Sequence, residues 1–421
     1  MELLNPYTGI IVICIIIILS NQFNWISKKS NIPSVLMLLV LGIVIRLGLD
    51  YFNIGISDYL NDMLLIIGTV GLIMIILEAA LELKLTREKR PLIIKSFFLA
   101  LFSLCVNISF TTWILHIILI ESFPSALLYA VPISVVSSAV VIPGVANLVT
   151  RNREFLIYES TFSDILGILI FFYLASSLER NSASDIIVNI SLDFVITIVL
   201  SVVISYLMVI VLEKIRSEVK LFSLIAVLVL LYSAGKLMNF SSILMILIFG
   251  IILNNNSLFF AGKLKKIVNL DSLHKVKDDF HILTMEFAFF IGTFFFVIFG
   301  ITLQLESLAD MTFLWVSVVV VLGLYIIRFI SMKIFIVKRI IPGLFISPRG
   351  LVTILLFFSI PSAYQDVNFN PGILLYIIII TNIAMSVSLM VRGKDREYAD
   401  SLNFSDWDEL DREIRSLSKK K

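Results

Sequence analysis

The chain contains 421 residues, of which 59% are apolar and only 15% are charged, and its mean hydropathy is +1.02. Soluble domains are about 45–50% apolar and about 25% charged, so this composition excludes an ordinary soluble protein. It predicts an all-α polytopic membrane protein in contact with lipid. The formal net charge of +2 gives no indication of a nucleic-acid partner.

Successive apolar runs, separated by short polar breaks, are the main pattern of residues 1–391. A helix needs about 20 apolar residues to cross the roughly 30 Å hydrocarbon layer of a bilayer. We therefore predict a transmembrane domain over residues 1–391 with thirteen helical spans. They cover about residues 6–20, 32–49, 63–81, 92–118, 124–149, 155–177, 186–212, 220–235, 240–254, 281–303, 311–336, 344–361 and 372–391.

The connecting segments alternate in charge from one segment to the next. One set is rich in lysine and arginine, whereas the other set is mostly acidic. The positive-inside rule places the basic set in the cytoplasm, the N-terminus outside and the C-terminus inside, in the plasma membrane or the inner membrane of a bacterium. The basic set includes Lys28, Lys29, Lys84, Arg87, Lys89, Arg90, Arg151, Arg153, Lys214, Arg216, Lys338 and Arg339, and the acidic set includes Asp50, Asp58, Asp62, Glu121, Glu306, Asp310 and Asp366.

Two segments outside the predicted spans are long enough to have a structure of their own. Residues 262–279 carry leucine and isoleucine at helical spacing among lysines, which predicts a linker helix on the inner membrane surface. Residues 392–421 form a short cytoplasmic tail. Neither segment has room for a nucleotide-binding domain, so we expect none in this chain.

The fifth and the twelfth predicted spans contain residues that interrupt a helix. The fifth contains Pro132, Ser137, Ser138 and Pro143, and residues 347–350 of the twelfth read Ser-Pro-Arg-Gly. The fifth and the twelfth spans are an odd number of positions apart in the order of spans, so the chain crosses the membrane in opposite directions in the two. Such a pair is typical of inverted repeats whose two discontinuous helices cross at a binding site near the membrane midplane.

Asp164 lies within the apolar run 155–174, where a carboxylate is costly and is rarely retained without a function. Ser160 precedes it by one helical turn, so the two side chains share a helix face. Carboxylate and hydroxyl oxygens are hard ligands that suit Na⁺ or another small monovalent cation. We predict a Na⁺ site at Asp164 and Ser160, to which Ser137 and Ser138 of the interrupted fifth span contribute.

Three further charged residues are expected to compensate charge rather than to bind the ion. Glu159 lies on a different helix face from Asp164, and Arg328 has a matching depth in the eleventh span. A buried pair of this kind can clamp a fold. Arg349 lies within the second interruption, where a guanidinium can satisfy carbonyls at the end of a half-helix, and it is the alternative partner of Glu159.

Two other acids within spans, Glu78 and Glu286, are candidates for lining a cytoplasmic funnel. The alternative is that each is an interfacial acid reaching toward water. The three histidines are scattered without metal-ligand spacing. Neither a phosphate-binding glycine loop nor a nucleophile–base set is present, so we expect no enzyme and no bound cofactor.

The order and spacing of these motifs resemble the monovalent cation/proton antiporter superfamily, most closely its sodium/proton exchanger branch. Residues 159–164, Glu-Ser-Thr-Phe-Ser-Asp, are similar to the Glu-Ser-Leu-x-Asn-Asp signature of the ion-binding helix. Residues 347–350 are similar to the Gly-Leu-Arg-Gly of the second broken helix. Shorter similarities, among them residues 31–34 before Gly42, extend over nearly the whole membrane part.

The resemblance implies the thirteen-helix sodium/proton antiporter fold, a homodimer, and a moving six-helix core around the crossed helices. We expect electroneutral exchange of Na⁺ for a proton by alternating access, with Li⁺ or K⁺ as alternative cations and a role in pH homeostasis. Two departures stand out: the family's Thr-Asp-Pro is replaced by the run 136–140, Val-Ser-Ser-Ala-Val, and Ser163 stands where an Asn precedes the essential Asp. The alternative is an antiporter-like sensor or complex component that does not transport.

Overall fold

Long apolar runs fold as long helices because hydrocarbon cannot satisfy backbone N–H and C=O groups. The computed structural model describes residues 6–30, 32–51, 59–86, 88–145, 148, 150–179, 199–210, 242–260, 270–302, 311–335, 343–366 and 369–392, with scattered positions between 225 and 235. Within these residues the structure contains helices and no strand, which confirms the all-α prediction. The helices are α1 (Pro6–Ser30), α2 (Ser34–Tyr51), α3 (Tyr59–Glu82), α4 (Arg90–Ile118), α5 (Phe123–Ser134), α6 (Ser138–Gly144), α7 (Thr150–Glu179), α8 (Ser242–Asn254), α9 (Asn256–Phe259), α10 (Leu270–Thr302), α11 (Met311–Phe335), α12 (Leu351–Phe358) and α13 (Gly372–Arg392).

Among the described residues, eight helical stretches are long and apolar enough to cross a membrane. Shorter apolar helices cover Val199–Ile210 and Ser242–Asn254. The chain is therefore a multi-pass membrane protein. The count of thirteen spans stays a prediction, because parts of the predicted spans 186–212 and 220–235 lie outside the described residues.

The linker predicted at residues 262–279 differs from what the structure describes. Residues 270–279 belong to α10, a single helix of 33 residues that continues into the predicted tenth span. Residues 262–269 and the predicted tail from residue 393 onward lie outside the described part of the chain.

The helices pack as two bundles. In the first, called the α3 bundle, α3 packs against α8 and α10, and α10 also packs against α2 and α1. In the second, called the α7 bundle, α4 packs against α5, α7 and α11, α6 against α7, and α11 against α13. The short helix α12 lies between them and contacts α5 and α7 on one side and α3 and α10 on the other.

Residues 83–85 follow α3, at the start of the chain that leads to α4, and are held by side chains from both bundles. The amide of Asn255 accepts from Leu85 N at 2.6 Å and donates to Leu83 O at 2.8 Å, which fixes the segment to the end of α8. From the other bundle, the hydroxyl of Tyr158 in α7 donates to Lys84 O at 2.8 Å. Hydrogen bonds therefore fix the start of the chain that leads from α3 of the first bundle to α4 of the second.

In the α3 bundle, Gly42 lies where the helices α2 and α10 cross at close range. A Cβ at Gly42 of α2 would lie 2.3 Å from Val297 O and 2.8 Å from the Cα of Gly300, both in α10. Because the obstructing atoms are backbone, the two helices would have to separate. Glycine at such a contact is a common means of close packing between membrane helices.

Replacing Gly42 by alanine should therefore lower the free energy of unfolding by about 1–3 kcal/mol, the usual cost of overpacking a well-packed interior. Gly48→Ala is the matched control on the same helix, because a Cβ there would meet nothing within 4 Å. Thermal unfolding of both purified variants in detergent measures the difference. Equal melting temperatures for the two variants would contradict this packing.

Candidate ion-binding site

Local sequence explains the two non-helical segments, the first interruption at residues 135–137 between α5 and α6 and the second at residues 346–350 before α12. Between α5 and α6 the backbone is extended at Val135 and Ser137, and the adjacent β-branched Val135 and Val136 favour that conformation. In the second interruption, Pro348 disfavours helical geometry at the residue before it. Residues 346–350 are accordingly not helical, and α12 begins only at Leu351.

The two interruptions contact each other directly. The N–H of Ser137 donates to the carbonyl of Pro348 at 2.9 Å. A Cβ on Gly350 would lie 2.6 Å from the Oγ of Ser137, so the approach is close enough to require glycine. The structure thus brings together the two broken segments that the sequence predicts; that the full helices cross is still a prediction.

Asp164 of α7 lies beside the first interruption and is only 2% exposed. Its Oδ2 accepts from the backbone N–H of Ser138 at 2.8 Å, at the start of α6. The first N–H groups of a helix have no partner within the helix and favour an anion. Among the described residues, Asp164 Oδ1 and the hydroxyl of Ser137 are buried without a hydrogen-bond partner.

The serines around Asp164 have different roles. Ser160 is buried and donates to Ile157 O at 3.1 Å, a bond back to its own helix that leaves its oxygen lone pairs available. Ser163 accepts from the N–H of Val136 at 3.0 Å and so satisfies a backbone donor of the first interruption. In the sequence, Ser163 stands out only as a departure from the family motif, although its place next to Asp164 is a signal that it lies near the site.

Arg349 is 1% exposed and hydrogen-bonds to oxygens of both interruptions. Its Nε donates to Ile133 O at 3.0 Å and its Nη2 to Ser134 O at 3.4 Å, the last carbonyls of α5. Its Nη1 donates to the carbonyl and the hydroxyl of Ser347, both at 2.7 Å. The guanidinium therefore lies at the negative end of one half-helix, whereas Asp164 lies at the positive end of the next.

Glu159 and Arg328 form a bidentate ion pair, with distances of 2.6 and 3.1 Å and 3% of each side chain exposed. The same guanidinium donates to Gly343 O at 3.0 Å and to Ile346 O at 2.9 Å. The pair thus joins α7 and α11 to the chain that enters the second interruption. Among the described residues, Arg349 is not the partner of Glu159.

The predicted funnel acids lie in different environments. Glu78 and Glu82, one turn apart on α3, are half-buried and within electrostatic reach of Asp164. Glu286 is exposed on α10, on a stretch where Ile282 and Met285 are exposed as well. The structure brings Glu78 toward Asp164 and does not place Glu286 with it.

Removing either partner of the Glu159–Arg328 pair should be strongly destabilising, because the remaining charge would stay buried. Glu159→Gln or Arg328→Met alone should cost about 3–5 kcal/mol, and the double variant should recover part of that loss. The control is Lys89→Met, since Lys89 pairs with Glu154 at 2.7 Å but is 39% exposed. Exposed pairs contribute about 0–1 kcal/mol. Strictly additive losses in unfolding experiments would show that Glu159 and Arg328 are not coupled.

The chain resembles known exchangers in sequence and in fold. The family model for the sodium/hydrogen exchanger transmembrane domain matches residues 10–393. The structure of the sodium proton antiporter MjNhaP1 from Methanocaldococcus jannaschii at pH 8 superposes with a TM-score of 0.67 at 19% identity, covering 93% of this chain and 100% of that chain. An electron-microscopy structure of MjNhaP1 gives a TM-score of 0.64 at 18% identity, covering 95% and 97%. No curated protein matches the sequence. Because the family model spans most of the chain, the protein belongs to the sodium/hydrogen exchanger family, whose members are secondary transporters and not enzymes.

Proposed function

We propose that the protein exchanges a monovalent cation, Na⁺ in the first place, for a proton across the plasma membrane by alternating access. The observation that carries the proposal is the environment of Asp164. One carboxylate oxygen is bound by the N–H of Ser138, and the other is buried without a partner among the described residues. A buried carboxylate with a free oxygen needs a cation or a proton to offset the cost of its charge.

The candidate oxygen ligands for a small cation belong to Asp164, to Ser160 one turn earlier on α7, and to Ser137, which precedes Ser138 in the chain. Asp164 Oδ1 and the hydroxyl of Ser137 are both unpartnered, and Ser160 keeps lone pairs available on the same helix. Ser138 contributes its N–H to the other carboxylate oxygen and so orients the group. Na⁺, Li⁺ and K⁺ are all taken by ligands of this type, and the family favours Na⁺.

A single carboxylate that binds either ion couples the two fluxes. A cation can bind only when the proton has left Asp164, and a proton can bind only when the cation has left. If the empty, charged form changes slowly between its two access states because its burial is costly, every cation moved in one direction is matched by a proton moved in the other. Competition at one group thus supports one-for-one exchange without further machinery.

The charges around the interruptions favour an electroneutral cycle. The buried charged side chains there are two acids, Asp164 and Glu159, and two bases, Arg328 and Arg349. Glu159 and Arg328 cancel each other, and Arg349 offsets ionised Asp164. Because a proton and a monovalent cation each carry one positive charge, the site has the same net charge whichever of them Asp164 holds.

The two bundles suggest how the site opens. Asp164 belongs to the α7 bundle, whereas Glu78 and Glu82 belong to α3, so movement of one bundle past the other would change their separation. We place these acids at the cytoplasmic entrance, with the N-terminus outside and the C-terminus inside. Assembly as a homodimer and a role in pH homeostasis belong to the same proposal.

Asp164→Asn should abolish cation-dependent proton movement while the protein still folds, because the amide is similar in shape but binds neither ion as a carboxylate does. The assay is exchange by purified protein in proteoliposomes with Na⁺, Li⁺ and K⁺ in turn. Glu154→Gln is a matched control, since Glu154 is an acid of the same helix that pairs with Lys89 instead.

Two results would count against the proposal. Substantial exchange by Asp164→Asn would remove that residue as the shared site. Absence of exchange by the wild-type protein with all three cations would favour the sensor or complex component that does not transport.

A further inference from the structure

Two adjacent polar residues in the middle of α13, Thr381 and Asn382, contact the second interruption. Both are fully buried in a mostly apolar helix. The hydroxyl of Thr381 accepts from the backbone N–H of Arg349 at 3.2 Å, and the amide of Asn382 donates to the backbone carbonyl of Arg349 at 2.8 Å. Both backbone groups of one residue are therefore held by neighbouring side chains of one helix.

The two side chains are themselves fixed within α13. The hydroxyl of Thr381 donates to Ile377 O at 2.7 Å, so its lone pairs are left for Arg349. The second amide hydrogen of Asn382 goes to Ile378 O at 2.7 Å. Because Arg349 lies outside any helix, its N–H and C=O have no regular backbone partner and must be satisfied inside the protein. The helix α13 provides both partners: the hydroxyl of Thr381 accepts from the N–H, and the amide of Asn382 donates to the C=O.

A path of hydrogen bonds and peptide bonds leads from this contact to Asp164. The residue before Arg349 is Pro348, whose carbonyl accepts from Ser137. The residue after Ser137 is Ser138, whose N–H donates to the carboxylate of Asp164. A shift of residues 348–349 would therefore move the N–H that orients the carboxylate.

We propose that Thr381 and Asn382 are positioning residues for the cation site: they fix the second interruption and, through Ser137, the Ser138 N–H against Asp164. Neither residue touches the ion. The inference rests on the proposed exchange at Asp164 and assigns α13 a part in it. The side chain of Arg349 does not replace this contact, because it holds α5 and leaves its own backbone groups to α13.

The test compares variants of Thr381 that differ mainly in the hydroxyl. Thr381→Val keeps the shape and removes the hydroxyl, whereas Thr381→Ser keeps the hydroxyl. Because Thr381→Val loses one buried hydrogen bond, it should raise the KM for the cation about threefold to tenfold while the maximal rate stays nearly unchanged. Thr381→Ser should restore the wild-type KM. A merely structural defect would lower the maximal rate by reducing the amount of active protein and would leave KM unchanged.

Ser386→Ala is the control for removing a buried hydroxyl from the same helix, because among the described residues Ser386 donates only to Asn382 O of α13, at 2.7 Å. Its KM should equal that of the wild type. If Thr381→Val fails to fold, Asn382→Ser tests the other half of the contact without adding bulk, and it should raise KM in the same way. An unchanged KM in a folded variant lacking either side-chain bond would overturn the inference while leaving the exchange proposal intact.

A second measurement does not depend on transport. Hydrogen exchange of the backbone amides at residues 135–139 and 347–351 should be several-fold faster in Thr381→Val than in the wild type or in Ser386→Ala. If the wild type shows no exchange of ions, the proposed function fails, and this measurement still decides whether α13 holds the interruption. Equal protection of these amides in all three proteins would overturn the inference.

Discussion

The structure of the site depends on the contact between the two interruptions, and both helix ends at the first interruption meet a side chain of opposite charge. Arg349 satisfies the last carbonyls of α5, and Asp164 accepts from the first N–H of α6. Broken backbone inside a membrane is tolerated only where its polar groups are satisfied by protein or by a water-filled cavity. Arg349 is therefore as necessary for the interruption as Asp164 is for its chemistry. The Glu159–Arg328 pair holds the flanking chain, since Arg328 also donates to Ile346 O.

This arrangement separates the parts of the site that have to stay fixed from the part that has to change. The backbone of the first interruption is held by hydrogen bonds from α7 and from the second interruption, and the backbone of the second is held by α13. The free oxygen of Asp164 and the hydroxyl of Ser137 are left without partners among the described residues. A site built in this way can exchange a proton for a cation without rearranging its own framework, which is what competition at one carboxylate requires. Glu78 and Glu82 act from the other bundle, so their influence on Asp164 depends on how the bundles are placed.

Sequence reasoning was most informative where burial is costly. A charge in an apolar run demands a partner, so Asp164, Glu159, Arg328 and Arg349 could be singled out from their position alone. Proline, serine and glycine mark the interrupted spans because these residues interrupt an apolar helix. The all-helical fold follows from the hydropathy of the chain.

The residues that sequence reasoning missed are those whose partners are backbone groups far along the chain. Ser163, Thr381, Asn382 and Asn255 all bond main-chain atoms of other segments. Such bonds depend on the path of a broken backbone, and no periodic pattern encodes that path. The choice between the two expectations for Glu286 could not be made from the sequence for a related reason, because the direction in which α10 faces is decided by packing against α2 and α3.

The central claim is that one carboxylate, Asp164, binds the proton and the monovalent cation in turn, so that the site has the same net charge in both states. The most direct test is exchange by proteoliposomes in which valinomycin clamps the membrane potential, in a buffer where K⁺ is shown not to be a substrate. A potential changes the energy of each transferred charge by about 2.3 kcal/mol per 100 mV, so any electrogenic cycle responds strongly. The account predicts that both the steady rate and the final ion gradient are indifferent to the clamped potential. A several-fold change in rate, or a final gradient that shifts with voltage, would contradict it.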